Sequence, residues 1–146
     1  MKNIVIFASL NEESLELIKT LKDSPLLKDN NLIIAHCFEI QPYVSELSPY
    51  FYPSEDQYPE IESATTVILK NLATALGRPH SQTKVFFSFS SKQRLTHFLK
   101  EANADLAIVA TRGKHGIEGL FSSSFSDHLI KYSPCDIYIL RPQKDA

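Results

Sequence analysis

Five short runs of apolar, often β-branched residues punctuate the chain: Asn3 to Ser9, Asn31 to Ile40, Thr83 to Ser90, Asp105 to Thr111 and Cys135 to Pro142. The runs are mostly continuous rather than alternating. That pattern predicts strands buried on both faces of a parallel sheet. Between them the apolar spacing lengthens to three and four. Leu15, Ile18 and Leu21 recur at helical spacing behind Asn11, an N-cap with acids following it, and Pro25 is the expected stop. A second helix is predicted from about Glu60 to Leu76, with Ile61, Ala64, Ile68, Leu72 and Ala75 facing inward and Gly77 as its C-cap. A third covers Ser91 to Ala104, with Leu95, Phe98 and Leu99 inward, and a fourth covers Ser124 to Ser133. Strands alternate with helices along the whole chain. This order predicts a single α/β domain over residues 1–146, an open parallel five-stranded sheet with helices on both faces.

One segment breaks the alternation. Gln41 to Glu60 holds Pro42, Pro49, Pro53 and Pro59, which rule out a central strand or a long helix there. A long surface connection with a helical turn is expected. Its rings, Tyr43, Tyr50, Phe51, Tyr52 and Tyr58, have two readings. They pack over their own domain, or they form an aromatic lid or partner surface.

Composition narrows the function classes. With 43% hydrophobic residues the chain can build a core, and a net charge of −2 argues against an electrostatic nucleic-acid binder. No apolar run approaches the ~20 residues that span a bilayer. The first run has one lysine before it, an acidic segment after it and no small-residue cleavage site, so it reads as a strand rather than a signal peptide. Cys37 and Cys135 lie far apart in apolar segments and read as buried free thiols of a cytoplasmic protein. The five histidines show no metal-ligand spacing and there is no CxxC, so no metal site is expected.

Candidate chemistry lies where strands end. In an open α/β sheet, ligands bind beyond the carboxyl ends of the strands, at the point where strand order reverses. Three segments qualify: Ala8 to Asn11, Cys37 to Pro42, and Ala110 to Ser124. The last holds Gly113, Gly116 and Gly119, the cations Arg112 and Lys114, and Ser122 to Ser124 at the start of a helix. Free N–H groups and the positive end of the helix dipole favour an anion there. The plainer alternative is a glycine turn followed by a serine N-cap. This is not a Walker loop, since Gly113-Lys114 is followed by His115, and no GxSxG elbow occurs.

Three stretches, IVIFASLNEES, ADLAIVATRGKHG and SPCDIYILRP, resemble the universal stress protein family, and so does the strand-helix order. The resemblance implies an adenine-nucleotide alpha hydrolase-like fold with sheet order 3-2-1-4-5. The reversal would then fall between the first and fourth strands, beside Ser9 and Ala110. ATP-binding members carry G-x2-G-x9-G-[ST] after the fourth strand. The same frame here reads Ala110, Gly113, Ser123, Ser124, so the spacing is intact and two glycines are replaced. An Asp that helps hold the adenosine corresponds to Ser9, and the backbone that cups adenine corresponds to Cys37. The implied nucleotide site comprises Ala8, Ser9, Cys37, Ala110, Arg112, Gly113, Ser123, Ser124 and Phe125, with ATP or AMP as ligand. The replacements predict binding that is weakened, altered or lost. The resemblance also implies a homodimer through the edge strand Cys135 to Arg141. A cytoplasmic, non-catalytic stress-response role is expected. The alternatives are a nucleotide-independent interaction module of the same fold and a slow nucleotide hydrolase.

Overall fold

The computed structural model describes residues 1–44, 48–111 and 123–142, without side chains at 123 and 124. The elements run β1 (Asn3–Phe7), α1 (Glu12–Lys19), β2 (Asn31–Glu39), β3 (Gln41–Val44) and β4 (Pro49–Tyr52). A short 3-10 turn at Glu55–Gln57 follows, then α2 (Tyr58–Ala75), β5 (Gln82–Ser88), α3 (Ser91–Glu101), β6 (Leu106–Ala110), α4 (Ser123–Tyr132) and β7 (Asp136–Leu140). Five strands form one parallel sheet in the order β5-β2-β1-β6-β7. Counting only its strands, this is the 3-2-1-4-5 order, with the reversal between β1 and β6.

Residue alternation splits the core into two layers. Ile4, Ile6, Ala8, Ile34, Ile108 and Ala110 pack with Ile18 of α1 and Leu69 and Leu72 of α2. Val5, Phe7, Ala35, Cys37 and Val109 pack on the other face with Leu95 and Leu99 of α3 and Phe125 and Leu129 of α4. Both faces of β1 are therefore dry, as its unbroken apolar run demands. Among the described residues, no helix is long and apolar enough to cross a membrane.

Local chemistry sets the element ends. The Asn11 side chain accepts from the Glu13 N–H and caps α1, which stops at Lys19 rather than running to Pro25. The Thr20 hydroxyl donates back to the Leu17 carbonyl, and successive turns carry the chain to β2. At the end of α2, Gly77 (φ +73°) donates to Thr74 and Arg78 donates to Ala73, a Schellman closure. A Cβ added at Gly77 meets nothing within 4 Å, so only backbone strain would oppose it. Gly77→Ala is therefore expected to cost about 1 kcal/mol and to lower Tm by roughly 3–4 °C. A fall beyond about 10 °C in a calorimetric scan would require a packing role that the structure does not give it.

Two expectations need correction. The buried face of α2 is Thr65, Leu69, Leu72 and Ala73, while Ala64 is exposed and Ile61, Ile68 and Ala75 are half-buried. The helix is apolar on more than one side, so its stripe was ambiguous by one position. The proline-rich segment is not mainly irregular either: β3 and β4 form a separate antiparallel ribbon, with Pro42 opposite Phe51 and Pro49 opposite Val44. A two-stranded ribbon has only edges, where proline is tolerated.

Candidate functional site

The strand order reverses between β1 and β6, so the carboxyl ends of β1, β2 and β6 are where a ligand crevice is expected. Phe7 pairs with Val109 and the Ala8 N–H donates to the Ala35 carbonyl, so Ala8 and Ala110 end neighbouring strands, and Cys37 lies two residues past Ala35. Ala8, Ala110 and Thr111 are buried, while Ser9 is half-buried at the rim. Ala110 sits in extended β6 and is not among the residues with positive φ, so its methyl brings no backbone strain there. Arg112 and Gly113 lie outside the described residues. Ser123 and Ser124 open α4, with their side chains outside them.

Cys37 is the informative position. In a strand paired in parallel on both sides, successive residues turn their N–H and C=O groups to opposite neighbours. The Ala35 carbonyl faces β1, because it accepts from Ala8, and the Ile40 N–H faces β5, because it donates to Ser88. Odd residues of β2 therefore face β1. The β1 ladder ends at Phe7 opposite Ala35. The Cys37 N–H and C=O thus project past the end of β1, where no described strand lies to pair them. They form an adjacent donor and acceptor at the mouth of the crevice.

Two titratable groups lie beside them. Burial lowers the His36 pKa below the ordinary 6.5, opposed by its hydrogen bond to Ala8. At 2.6 Å from the Ala8 carbonyl, Nδ1 must be the donor, so the neutral ring carries its proton there and leaves Nε2 bare. The Ala8 N–H and C=O are both taken up within the fold, so that residue shapes the crevice rather than binding through its amide. Burial pushes the Cys37 thiol up to about 11, with the Arg94 charge opposing and Glu39 adding to the rise. The thiol is protonated at neutral pH. Since the folded His36 pKa is depressed, the unfolded chain takes up the proton first. Stability should fall as pH drops from about 6.5 towards the folded pKa. Urea unfolding of the parent and of His36→Gln across that range checks this: the variant should show the shallower slope, and equal slopes would remove His36 as the cause.

The start of α4 faces the same end of the sheet. Its first turn is held by Phe125, whose ring packs 5.7 Å from that of Phe7. Phe125 is therefore a core residue, and its ring is directed into the fold rather than at a ligand. In the same turn Ser126 is buried, and its hydroxyl has no hydrogen-bond partner among the described residues; the same holds for Ser14 in the first turn of α1. An unpaired buried hydroxyl costs about 1–3 kcal/mol. His36, Ser14 and Ser126 were not singled out as site residues from sequence. The period-two alternation of β2 would have placed His36 beside Ala8, but only once the β1–β2 register was known. Among the described residues, no cluster of three or more His, Cys, Asp or Glu could hold a metal.

Comparison with known proteins gives this crevice a context. The universal stress protein family model matches residues 1–141. A putative universal stress protein of Staphylococcus aureus (strain USA300) is 28% identical over 78 residues, 51% of this chain. That match spans 45% of the relative, so the chain covers a little under half the length of the curated protein it matches. Among solved structures, a universal stress protein in complex with cAMP aligns with a TM-score of 0.62 and 19% identity over 97% of this chain and 98% of that one. A universal stress protein family protein from Arabidopsis thaliana, with AMP bound, gives a TM-score of 0.60 and 11% identity over 99% and 94%. Identities this low establish the shared fold alone, and the family model supplies the rest. On the match over residues 1–141 and the sheet order found here, the chain belongs to the universal stress protein family.

Proposed function

We propose that the protein is a non-catalytic, nucleotide-responsive stress protein whose crevice takes an adenine nucleotide, ATP or AMP, with weakened affinity. The observation that carries this reading is the pair of Cys37 main-chain groups directed past the end of β1. An adjacent N–H and C=O match the donor and acceptor on one edge of adenine. Ser9 would lie against the ribose side, and the first turn of α4, with Gly113, Ser123 and Ser124, would receive the phosphates. The Ser126 hydroxyl in that turn, which has no hydrogen-bond partner among the described residues, is a group that a bound ligand or its waters would satisfy. Solved family members carrying cAMP and AMP support the choice of ligand class.

The weakening follows from Ser9. A serine where ATP-binding relatives carry a carboxylate removes a charge-assisted acceptor worth about 1.5–3 kcal/mol. Binding rather than catalysis is proposed because burial holds the Cys37 thiol, the nucleophile beside these main-chain groups, in its protonated form at neutral pH. The reading includes a cytoplasmic homodimer joined along the outer edge of β7, whose Asp136 and Tyr138 are exposed. Calorimetric titration with ATP, ADP and AMP tests the nucleotide claim. Heat with a dissociation constant between about 10 μM and 1 mM is expected. No heat at millimolar ligand, with no shift in melting temperature, would leave the alternative of a nucleotide-independent interaction module, which the replacements at Ser9 and Ser123 favour.

A further inference from the structure

A row of stacked rings links the start of α2 to β5 and β2, and Phe51 of the β3–β4 ribbon meets Phe89 just past β5. Tyr58, the first residue of α2, stacks on Phe87 at 4.0 Å and 10°, Phe87 stacks on Phe38 at 5.4 Å, and Phe38 meets His36 edge-on at 4.6 Å. Pro53, just after the ribbon, is buried. Beyond this row the rings face outward. Tyr43 and Tyr50 stack on each other at 5.4 Å yet remain 45% and 53% exposed, and Phe51 meets Phe89 edge-on while 53% exposed. Tyr43 and Tyr50 are held against each other and Phe51 against Phe89, so a partner would pay less ordering entropy to use them.

Charge gives the partner's character. The sequence has 15 lysines and arginines, but none between Lys28 and Lys70. Exposed Glu55 and Asp56 lie three and four residues past β4, and exposed Glu60 is in the first turn of α2. Exposed aromatic faces followed in the chain by carboxylates that make no ion pair among the described residues complement guanidinium groups, which stack on rings and pair with acids at once. The same surface repels polyanions. This chain already makes such a contact internally, with the Arg94 guanidinium 4.1 Å from the centre of the Phe86 ring. Strand addition is the less suitable mode. Proline cannot give a ladder bond, so Pro42·Phe51 and Val44·Pro49 are the pairs whose N–H positions turn outward, and each edge thereby lacks a donor.

We propose that the β3–β4 ribbon is a docking surface for an arginine-bearing segment of a partner protein, read through its side chains. The guanidinium groups would lie on the Tyr43, Tyr50 and Phe51 rings, with Glu55 and Glu60 supplying the counter-charge. This proposal does not depend on the nucleotide site.

The test is fluorescence anisotropy of the full chain with a labelled peptide of about 12 residues alternating arginine and threonine, at about 50 and about 300 mM NaCl. Saturable binding that weakens with salt is expected, several-fold weaker for the lysine version and absent for the glutamate version. Tyr50→Ala/Phe51→Ala should weaken it by about tenfold or more. Glu55→Gln/Glu60→Gln, at exposed positions where folding is not at risk, should weaken it and flatten the salt dependence. No saturable binding, equal binding of the glutamate peptide, or binding that survives both variants would overturn the proposal. Sedimentation showing self-association of the parent that the ring variant abolishes would overturn it too, by assigning the surface to a second copy.

Discussion

Ser9→Asp combined with Ser123→Gly is expected to tighten ATP binding by one to two decades. The carboxylate restores a charge-assisted acceptor at the end of β1, worth about 1.5–3 kcal/mol, and every ~1.4 kcal/mol is tenfold in the dissociation constant. The glycine removes a Cβ from the frame in which ATP-binding relatives bring phosphate onto backbone N–H groups. The two changes act at opposite ends of the ligand, so their effects should add. Calorimetry of the parent, both single variants and the double variant separates them. If Ser9→Asp alone leaves affinity unchanged, the ribose does not lie against β1. If Ser123→Gly weakens binding, that hydroxyl donates to the phosphate rather than blocking it.

Phe125→Ala should be the most damaging single change near the crevice. The Phe125 side chain is buried against Phe7 and links the first turn of α4 to the centre of the sheet. Truncating a buried phenylalanine costs about 3–5 kcal/mol, a large share of the ~5–15 kcal/mol that holds a domain of this size together. Loosening this turn should also cost nucleotide affinity, since the helix start would no longer be held against β1. Phe125→Leu, which keeps most of the volume, should lose under about 1.5 kcal/mol and retain binding. Urea unfolding followed by calorimetry on the folded fraction measures both. A loss under about 1 kcal/mol for the alanine variant would mean that the Phe7–Phe125 contact does not anchor α4.

Much of the fold was legible because its strands are mostly continuous apolar runs and two of its helix ends carry clear caps. Asn11 and Gly77 acted as predicted, since each satisfies a helix end by local chemistry that needs no tertiary partner. The buried face of α2 was less legible. Val67, 58% exposed, and Ile68 add apolar surface outside the buried stripe, so period alone could not centre it. The ribbon was missed for a different reason. Proline excludes a strand from the middle of a sheet, but not from a pair that consists of two edges. Sequence placed Ala8 just past β1, Ala110 at the end of β6 and Cys37 near the end of β2, as the structure has them. It could not show that the Cys37 amide faces β1, because that depends on the parallel register of Phe7 with Ala35. Nor could it show the bond from His36 to Ala8, which joins residues 28 apart in the chain.

The most direct test of the nucleotide reading is the Cys37 amide resonance in a 15N-labelled sample titrated with AMP and ATP. If adenine seats on the Cys37 backbone, that amide should shift progressively and saturate together with those of Ser9 and the first turn of α4. AMP and ATP should move Cys37 alike and differ at α4, where only the longer phosphate chain reaches. A Cys37 amide that stays unmoved at millimolar nucleotide, or shifts that cluster elsewhere on the sheet, would contradict the account.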